Sequence, residues 1–340
     1  MSGDVTWREL NAQPEAWAKL IRRLEGGDLA LPVDLGDFDS IVLLGSGTSY
    51  YLALVVADWL RRRGFDARGV PSCEIMLDPW ETRKSDARRL AIGFSRSGES
   101  TELLLADEIL QKAGFTTIGV SCAEGSSLLG QAQHPLLVHE GFENGLIMLQ
   151  SFTSMILALQ WLSGSAEDRA QLRTLPEAGR TLLAERSDVL RDLANRRGFN
   201  RFVFLGSGAD YPLCAEGALK IQEMSIATSE AYHSLDYRHG PKACADADTA
   251  VVLFSLADRD HGRALARDIK ALGATVLVIG PDAAGYEGVA DATAAIPQAL
   301  TEGAGAVLSI LPAQLFAFAT AIRRGKDPDA PVNLAKVVTF

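Results

Sequence analysis

Cysteine is scarce in this chain: four in 340 residues, Cys73, Cys122, Cys214 and Cys244. None forms a Cys-x-x-Cys pair and none has a histidine at metal-ligand spacing, so the common zinc and dithiol motifs are excluded. A chain of this length buries a core without disulfides, so reduced thiols and a cytoplasmic location are expected. There are only five histidines, and they form no metal constellation. Apolar runs are short; none reads as the ~18 residues that span a bilayer. The N-terminus, MSGDVTWRELNAQPEAW, lacks the basic-then-apolar order of a signal peptide. No membrane partner is therefore expected. Basic residues are outnumbered, 33 against 43 acidic, for a formal charge of -10. That argues against nucleic acid, which needs a basic face. A small anion stays possible, because a local nest of backbone N–H groups can hold a phosphate.

What the chain does have is alternation. Its 47% hydrophobic and 22% charged residues are those of a globular chain, and its length favours two domains. Residues 1–35 read as a helical arm with an apolar stripe of Leu10, Trp17, Leu20 and Leu24. Short buried strands are expected at 39–44, 88–94, 116–121 and 135–139, and helices at 50–63, 102–113 and 146–162. Residues 163–175 lose the pattern and read as a linker. A second series follows: helix 177–195, strand 201–205, a helix carrying Glu216, strand 249–254, helix 262–272, strands 275–279 and 292–296, and a long apolar helix over 304–323. Strands alternating with helices predict an α/β fold with parallel sheets covered on both faces. The divisions expected are an arm at 1–35, a first domain at 36–163, a second at 164–326 and a tail at 327–340.

The two series repeat. Phe38 to Gly47, FDSIVLLGSG, matches Phe199 to Gly208, FNRFVFLGSG, at an offset of 161 residues. Phe94-Ser95 matches Phe254-Ser255 at an offset of 160. Offsets that agree this closely argue for a duplicated domain. After the second match the halves differ. The first continues Arg96-Ser97-Gly98-Glu99-Ser100-Thr101, the second Leu256-Ala257-Asp258-Arg259-Asp260. An anion would favour the hydroxyl-rich loop and be repelled by the aspartates.

Two constellations point to chemistry. Ser95, Arg96, Ser97 and Ser100 lie between a strand and a helix, where hydroxyls and helix-start N–H groups bind phosphate. Ser46, Gly47, Thr48 and Ser49 end the neighbouring strand and can add donors. The plain alternative is a pair of N-capped helices without a ligand. The second constellation is Glu216, Lys220 and Glu223, four and three apart on one helix face, with His239 on a loop before Gly240-Pro241. Two carboxylates, a lysine and a histidine suit proton transfer on a small polar substrate. The alternative is a surface ion pair, a solvated glutamate and an incidental histidine. A nucleotide cofactor fits poorly: the third glycine of a dinucleotide fingerprint falls at Tyr50 or Tyr211, and no G-x-x-x-x-G-K-[ST] is present.

GSGTSYY, FSRSGEST, EGALKIQEMS, EAYHSLDYRHGP and the terminal NLAKVVTF together resemble the sugar isomerase (SIS) family over nearly the whole chain. The pattern is similar to the isomerase domain of glucosamine-6-phosphate synthase, to stand-alone aminosugar-phosphate deaminases and to ketose/aldose isomerases. The synthase's glutaminase domain and N-terminal cysteine are absent, so the expectation is a sugar-processing half without its own ammonia source. The resemblance implies two Rossmann-like, flavodoxin-type three-layer αβα domains in tandem, and no cofactor or metal. It implies aldose–ketose isomerisation of a hexose 6-phosphate, an amino sugar in the first instance, with loss of ammonia. A simple isomerase, a sugar-amine deglycase and a phosphosugar sensor are the alternatives. It puts the sugar phosphate and nearby hydroxyls on Ser46, Thr48, Ser49, Ser95, Arg96, Ser97 and Ser100. Glu223 becomes the base between C1 and C2, with Lys220 and Glu216 as its neighbours. His239 opens the sugar ring from the partner subunit of a homodimer, and Lys336 closes over the substrate from a tail whose Val332, Leu334, Val337, Val338 and Phe340 can dock. Arg96 stands where the family usually has glutamine, Ser46 where the synthase often has cysteine, and Met148 where the synthase offers a serine to the sugar.

Overall fold

The computed structural model describes residues 2–83, 86–298, 300 and 303–337; Val338 and Phe340 of the expected tail lie outside them. The chain opens with α1 (Asp4–Glu25), then runs β1 (Ser40–Gly45), α2 (Thr48–Arg61), β2 (Ala67–Pro71), α3 (Ser72–Leu77), β3 (Arg89–Ser95), α4 (Thr101–Lys112), β4 (Thr116–Ser121), α5 (Ser127–Gln131), β5 (His134–Leu137), α6 (Gln150–Ser163), α7 (Ala166–Leu172) and α8 (Leu175–Asn195). The second series is β6 (Arg201–Gly206), α9 (Tyr211–Ser225), β7 (Ser229–His233), β8 (Thr249–Phe254), α10 (Arg259–Ala271), β9 (Thr275–Gly280), β10 (Ala292–Ala295), α11 (Ala306–Ser309) and α12 (Leu311–Arg323).

The strands form two five-stranded sheets, ordered β2-β1-β3-β4-β5 and β7-β6-β8-β9-β10. Every recorded pairing is parallel. The two orders are the same once β6 is matched to β1, so the repeat seen in sequence is a repeat of topology. Parallel strands need covered faces, and the central strands are accordingly buried along their whole length, as in β8 and β9. On one face of the first sheet Val42, Leu44 and Ala91 pack with Leu103, Ala106 and Leu110 of α4. On the second sheet Val203, Leu205, Val251 and Leu253 pack with Leu265, Ala266 and Ile269 of α10. These positions alternate along each strand, as side chains on one sheet face must. The chain groups into two compact units. One holds residues 1–11, 145–147 and 177–334; the other holds 12–144, 148–176 and 335–340.

Several expectations need correction. Residues 146–149 are not helical, and α6 begins only at Gln150. The expected linker at 163–175 contains α7, a helix of seven residues too short for periodicity to reveal. Strands β2 and β7, one edge strand of each sheet, carry too little apolar pattern to be read. The strand expected at 135–139 ends at Leu137, and His139 begins a short 3-10 turn. The apolar stretch expected as one helix over 304–323 is broken into α11 and α12 just before Pro312. Its window Ala306–Arg323 does meet the length and hydropathy of a membrane span, contrary to the sequence reading, but 78% of it is buried in the protein, as in a core helix.

A capping box fixes α7. Ser165 Oγ accepts from the Asp168 N–H at 3.1 Å, and Asp168 Oδ2 accepts from the Ser165 N–H at 2.8 Å. The same carboxylate pairs with Arg63 of the chain that follows α2, whose Nε donates at 3.1 Å and whose Nη2 also bonds. Burial works to raise the Asp168 pKa, but Arg63 and Ser165 outweigh it and hold it below the ordinary 3.8. A carboxyl lowered on folding stabilises above its unfolded pKa and loses that contribution as pH falls through the folded value. Asp168→Asn should therefore cost about 1–2 kcal/mol at neutral pH. Urea unfolding from pH 7 downward should show the wild-type advantage shrinking below pH 3.8.

Candidate active site

Two loops leave the carboxyl edge of the first sheet side by side. Strands β1 and β3 are direct neighbours with Leu44 opposite Gly93, so Ser46 and Arg96 start their loops at nearly the same level. The order β2-β1-β3 places the reversal of strand order between them, and open α/β sheets bind ligands at that point. Gly45 lets the first loop turn tightly: a Cβ there would lie 2.3 Å from the Ser49 backbone. Gly47 then takes φ +56°, a conformation that favours glycine. In the duplicate, Gly206 and Gly208 repeat both features; Gly208 has φ +59° and a Cβ on Gly206 would meet Cys214 Sγ at 2.3 Å.

Thr48, Ser49 and Ser95 are buried, while Ser46, Arg96, Ser97 and Ser100 are half-buried and Gly47 is exposed. Ser95 Oγ lies 3.3 Å from Ser100 Oγ and accepts the Gly98 N–H at 2.9 Å. Ser97 Oγ accepts the Glu99 N–H at 3.2 Å. The structure thus gathers Ser95, Ser97 and Ser100 into one tight loop. Neither Gly47 before α2 nor Ser100 before α4 makes a side-chain cap to its helix. The equivalent start in the second half is capped: Asp258 Oδ1 accepts from the His261 N–H at 3.0 Å. After β3 the chain presents hydroxyls beneath a helix start that its N-cap residue leaves uncapped; after β8 a carboxylate fills the corresponding place.

Arg96 and Lys336, assigned to separate roles from sequence, are brought together. The Arg96 guanidinium donates through Nη2 to the Lys336 carbonyl at 3.1 Å. The Lys336 ammonium donates to the carbonyls of Glu143 and Asn144 at 3.1 and 2.9 Å. Arg96 Nη1 also stands 3.6 Å from a carboxylate that sequence reasoning passed over, Glu143, whose side chain is fully buried. Its signal was an acidic residue just ahead of an apolar helix, where carboxylates favour the positive end.

The helix row lies on α9. Lys220 Nζ is 3.3 Å from Glu216 Oε1 and hydrogen-bonded to Glu223 Oε2. Glu216 and Lys220 side chains are wholly buried and Glu223 is 16% exposed, so the surface-pair alternative fails. Burial alone would lower the Lys220 pKa, but the two carboxylates outweigh it and raise it above 10.5. Lys220 is therefore a fixed cation. Glu223 alone of the three is open enough to meet a substrate. His239 is not drawn into this row. It ends a 3-10 turn, Asp236–His239, and is exposed, with Gly240 at φ +137° behind it.

The SIS-domain profile matches residues 35–163 and again 197–324. This chain belongs to the SIS-domain family. It is 30% identical over 98% of its length to the glutamine–fructose-6-phosphate aminotransferase (isomerizing) of Pyrobaculum aerophilum, and it covers 57% of that protein. The chain thus spans little more than half the length of the curated relatives it matches. Among solved structures it is similar to the glucosamine-6-phosphate deaminase of Thermotoga maritima, with a TM-score of 0.81 and 29% identity over 99% of this chain and 100% of that one. The tagatose-6-phosphate ketose/aldose isomerase of Escherichia coli shares the fold at a TM-score of 0.85, with 23% identity over 96% and 95% of the two chains.

The buried row generates a test of its own. Lys220→Met leaves Glu216 buried without its cation and should cost about 3–5 kcal/mol in urea unfolding. Adding Glu216→Gln should recover most of that loss. If the single variant unfolds like wild type, the row is not the charged unit described here.

Proposed function

We propose that this SIS-domain protein is a phosphosugar isomerase that acts on an amino-sugar 6-phosphate and releases ammonia. The observation that carries the phosphate half is the contrast between the two sheet edges. The Ser95–Ser100 loop stands at an uncapped helix start, whereas its duplicate is closed by Asp258. The deaminating form is favoured over a simple isomerase by the likeness to the Thermotoga deaminase over the full length of both chains. The functional divisions on this reading are residues 36–163 for the phosphate, 164–326 for the proton chemistry, 1–35 as an arm and 327–340 as a closing tail.

Ser46, Thr48, Ser49, Ser95, Ser97 and Ser100, with the N–H groups around Gly47, hold the phosphate. It is a remote handle whose binding energy orients the reacting carbons. His239 opens the sugar ring, working in the site of the partner in a homodimer; its exposure suits that role. Glu223 takes the proton from C2 and returns it to C1, the work of a positioned carboxylate. The electron pair of the broken C2–H bond forms the C1–C2 double bond as the C1=O π pair moves to O1, which takes up a proton; Glu223 then returns its proton to C1 while the nitrogen lone pair forms the C2–N double bond, leaving an iminium at C2. Water adds to that iminium and ammonia departs, leaving the ketose phosphate. Lys220 stays protonated and steers the Glu223 carboxylate; Glu216 balances its charge. Lys336 closes over the substrate.

The test is to supply glucosamine 6-phosphate and galactosamine 6-phosphate and follow ammonia and ketose phosphate together. Both products should appear with one of the two sugars. Glu223→Gln should lower turnover by ~10²–10⁴-fold and keep sugar-phosphate binding, measured by calorimetry. Ketose formed from a neutral aldose phosphate, without turnover of either amino sugar, would move the assignment to a simple isomerase. A ligand response unchanged in Glu223→Gln, with no turnover by wild type, would make the protein a sensor.

A further inference from the structure

Arg96, Glu143 and Lys336 form a closed circuit from three distant parts of the chain. Arg96 reaches the Glu143 carboxylate with one nitrogen, 3.6 Å away, and the Lys336 carbonyl with another, 3.1 Å away. Lys336 returns its ammonium to the Glu143 and Asn144 carbonyls and stands 5.8 Å from the centre of the Phe142 ring. Glu143 is the fixed point. Its carboxylate accepts the N–H groups of Leu149 at 3.1 Å and Gln150 at 3.0 Å, at the entrance to α6, and the Ser151 hydroxyl. It is therefore held by a rigid buried helix. Arg96 is only 10% exposed, while Lys336 is exposed at the surface.

We infer that Arg96 is a positioning residue for the C-terminal tail: anchored on Glu143, it ties the main chain at Lys336 to the Ser95–Ser100 loop. The argument turns on what a guanidinium can do. It offers five donors in a planar fork, so one side chain can serve a carboxylate and a carbonyl together. An ammonium at the same place neutralises Glu143 but is a point charge on a differently shaped stem. A neutral amide removes the guanidinium charge from beside the buried carboxylate. The consequence for catalysis rests on the phosphosugar reading. A phosphate in the Ser95–Ser100 loop lies next to the residue that holds the tail, so substrate and tail are organised by one group. The tether itself does not depend on that reading.

Trypsin reads the tether directly, because it cuts after Lys336 and removes the last four residues, a loss visible in intact mass. The wild type, Arg96→Lys, Arg96→Gln and Glu143→Gln are compared in their rate of that cut, their urea midpoints and their turnover of amino-sugar phosphates. Arg96→Lys should keep the wild-type midpoint yet be cut about tenfold faster, the factor for losing a charge-assisted hydrogen bond. Its kcat should fall more than its KM rises, because the tail is misplaced while the phosphate loop remains. Arg96→Gln and Glu143→Gln should be cut at least as fast as Arg96→Lys. A role confined to neutralising Glu143 would be rescued by lysine, so wild-type protection in Arg96→Lys overturns the inference. If wild type turns over no phosphosugar but Arg96→Lys frees the tail, the functional reading falls and the tether stands. If wild type is active and Arg96→Lys is fully protected and active, the tether alone falls.

Discussion

All strands of a parallel sheet point the same way, and everything else in this fold follows from that constraint. Each strand must be followed by a crossover to return to its start, so each carboxyl end opens a loop on the same edge. The strand order reverses between β2-β1 and β1-β3, so the crossovers leave opposite faces there and the loops after β1 and β3 part. The gap holds Ser46–Ser49 on one side and Arg96–Ser100 on the other. Gly45 is the local condition for it, since a side chain there would collide with the Ser49 backbone. The hydroxyls are thus placed by topology first and by glycine second. No special framework was needed to bring them together.

The row on α9 obeys a different logic. A wholly buried lysine and glutamate contribute little to stability compared with an apolar pair of the same volume, because the desolvation of both ions offsets their attraction. The fold keeps them against that cost, and the helix spacing of four and three makes the arrangement self-contained. Lys220 faces a carboxylate on each side, one sealed and one at the edge of solvent. Such an arrangement fixes the direction of the outer carboxylate while leaving it partly open to solvent. Perturbed charged groups of this kind concentrate where chemistry is done.

How much of this was legible depended on range. The buried strands β1, β3, β4, β6, β8 and β9 were readable because runs such as IVLLG and VVLF have no other use in a globular chain. The edge strands β2 (ARGVP) and β7 (SEAYH) were not, because their own residues are too polar to stand out, whereas the opposite edges β5 and β10 carried enough apolar residues to be read. Helix α7 was invisible for the same reason; a capping box and the Arg63 pair hold seven residues that show no stripe. Of the site, the α9 row could be read from local spacing, since Glu216, Lys220 and Glu223 interact within one helix. Glu143 could not. Its place ahead of α6 hinted at the amides it accepts from, but its contact with Arg96, 47 positions away, is encoded by no local pattern. The burial that separates a surface pair from a working row is likewise a property of packing.

The duplicated edges show how one architecture came to be used twice without making two equal sites. Both halves retain the glycine turn after the first strand, with near-identical φ at Gly47 and Gly208. The turn is therefore a requirement of the fold and says nothing of ligand. The difference lies one loop further on. After β3 the chain supplies Ser95, Ser97 and Ser100 and no side-chain cap for α4; after β8 it supplies Asp258, which caps α10 from within the chain. A carboxylate there satisfies the helix start with the same electrostatics that would attract a phosphate. The start of α10 is thus capped from within the chain, whereas Ser100 gives α4 no side-chain cap.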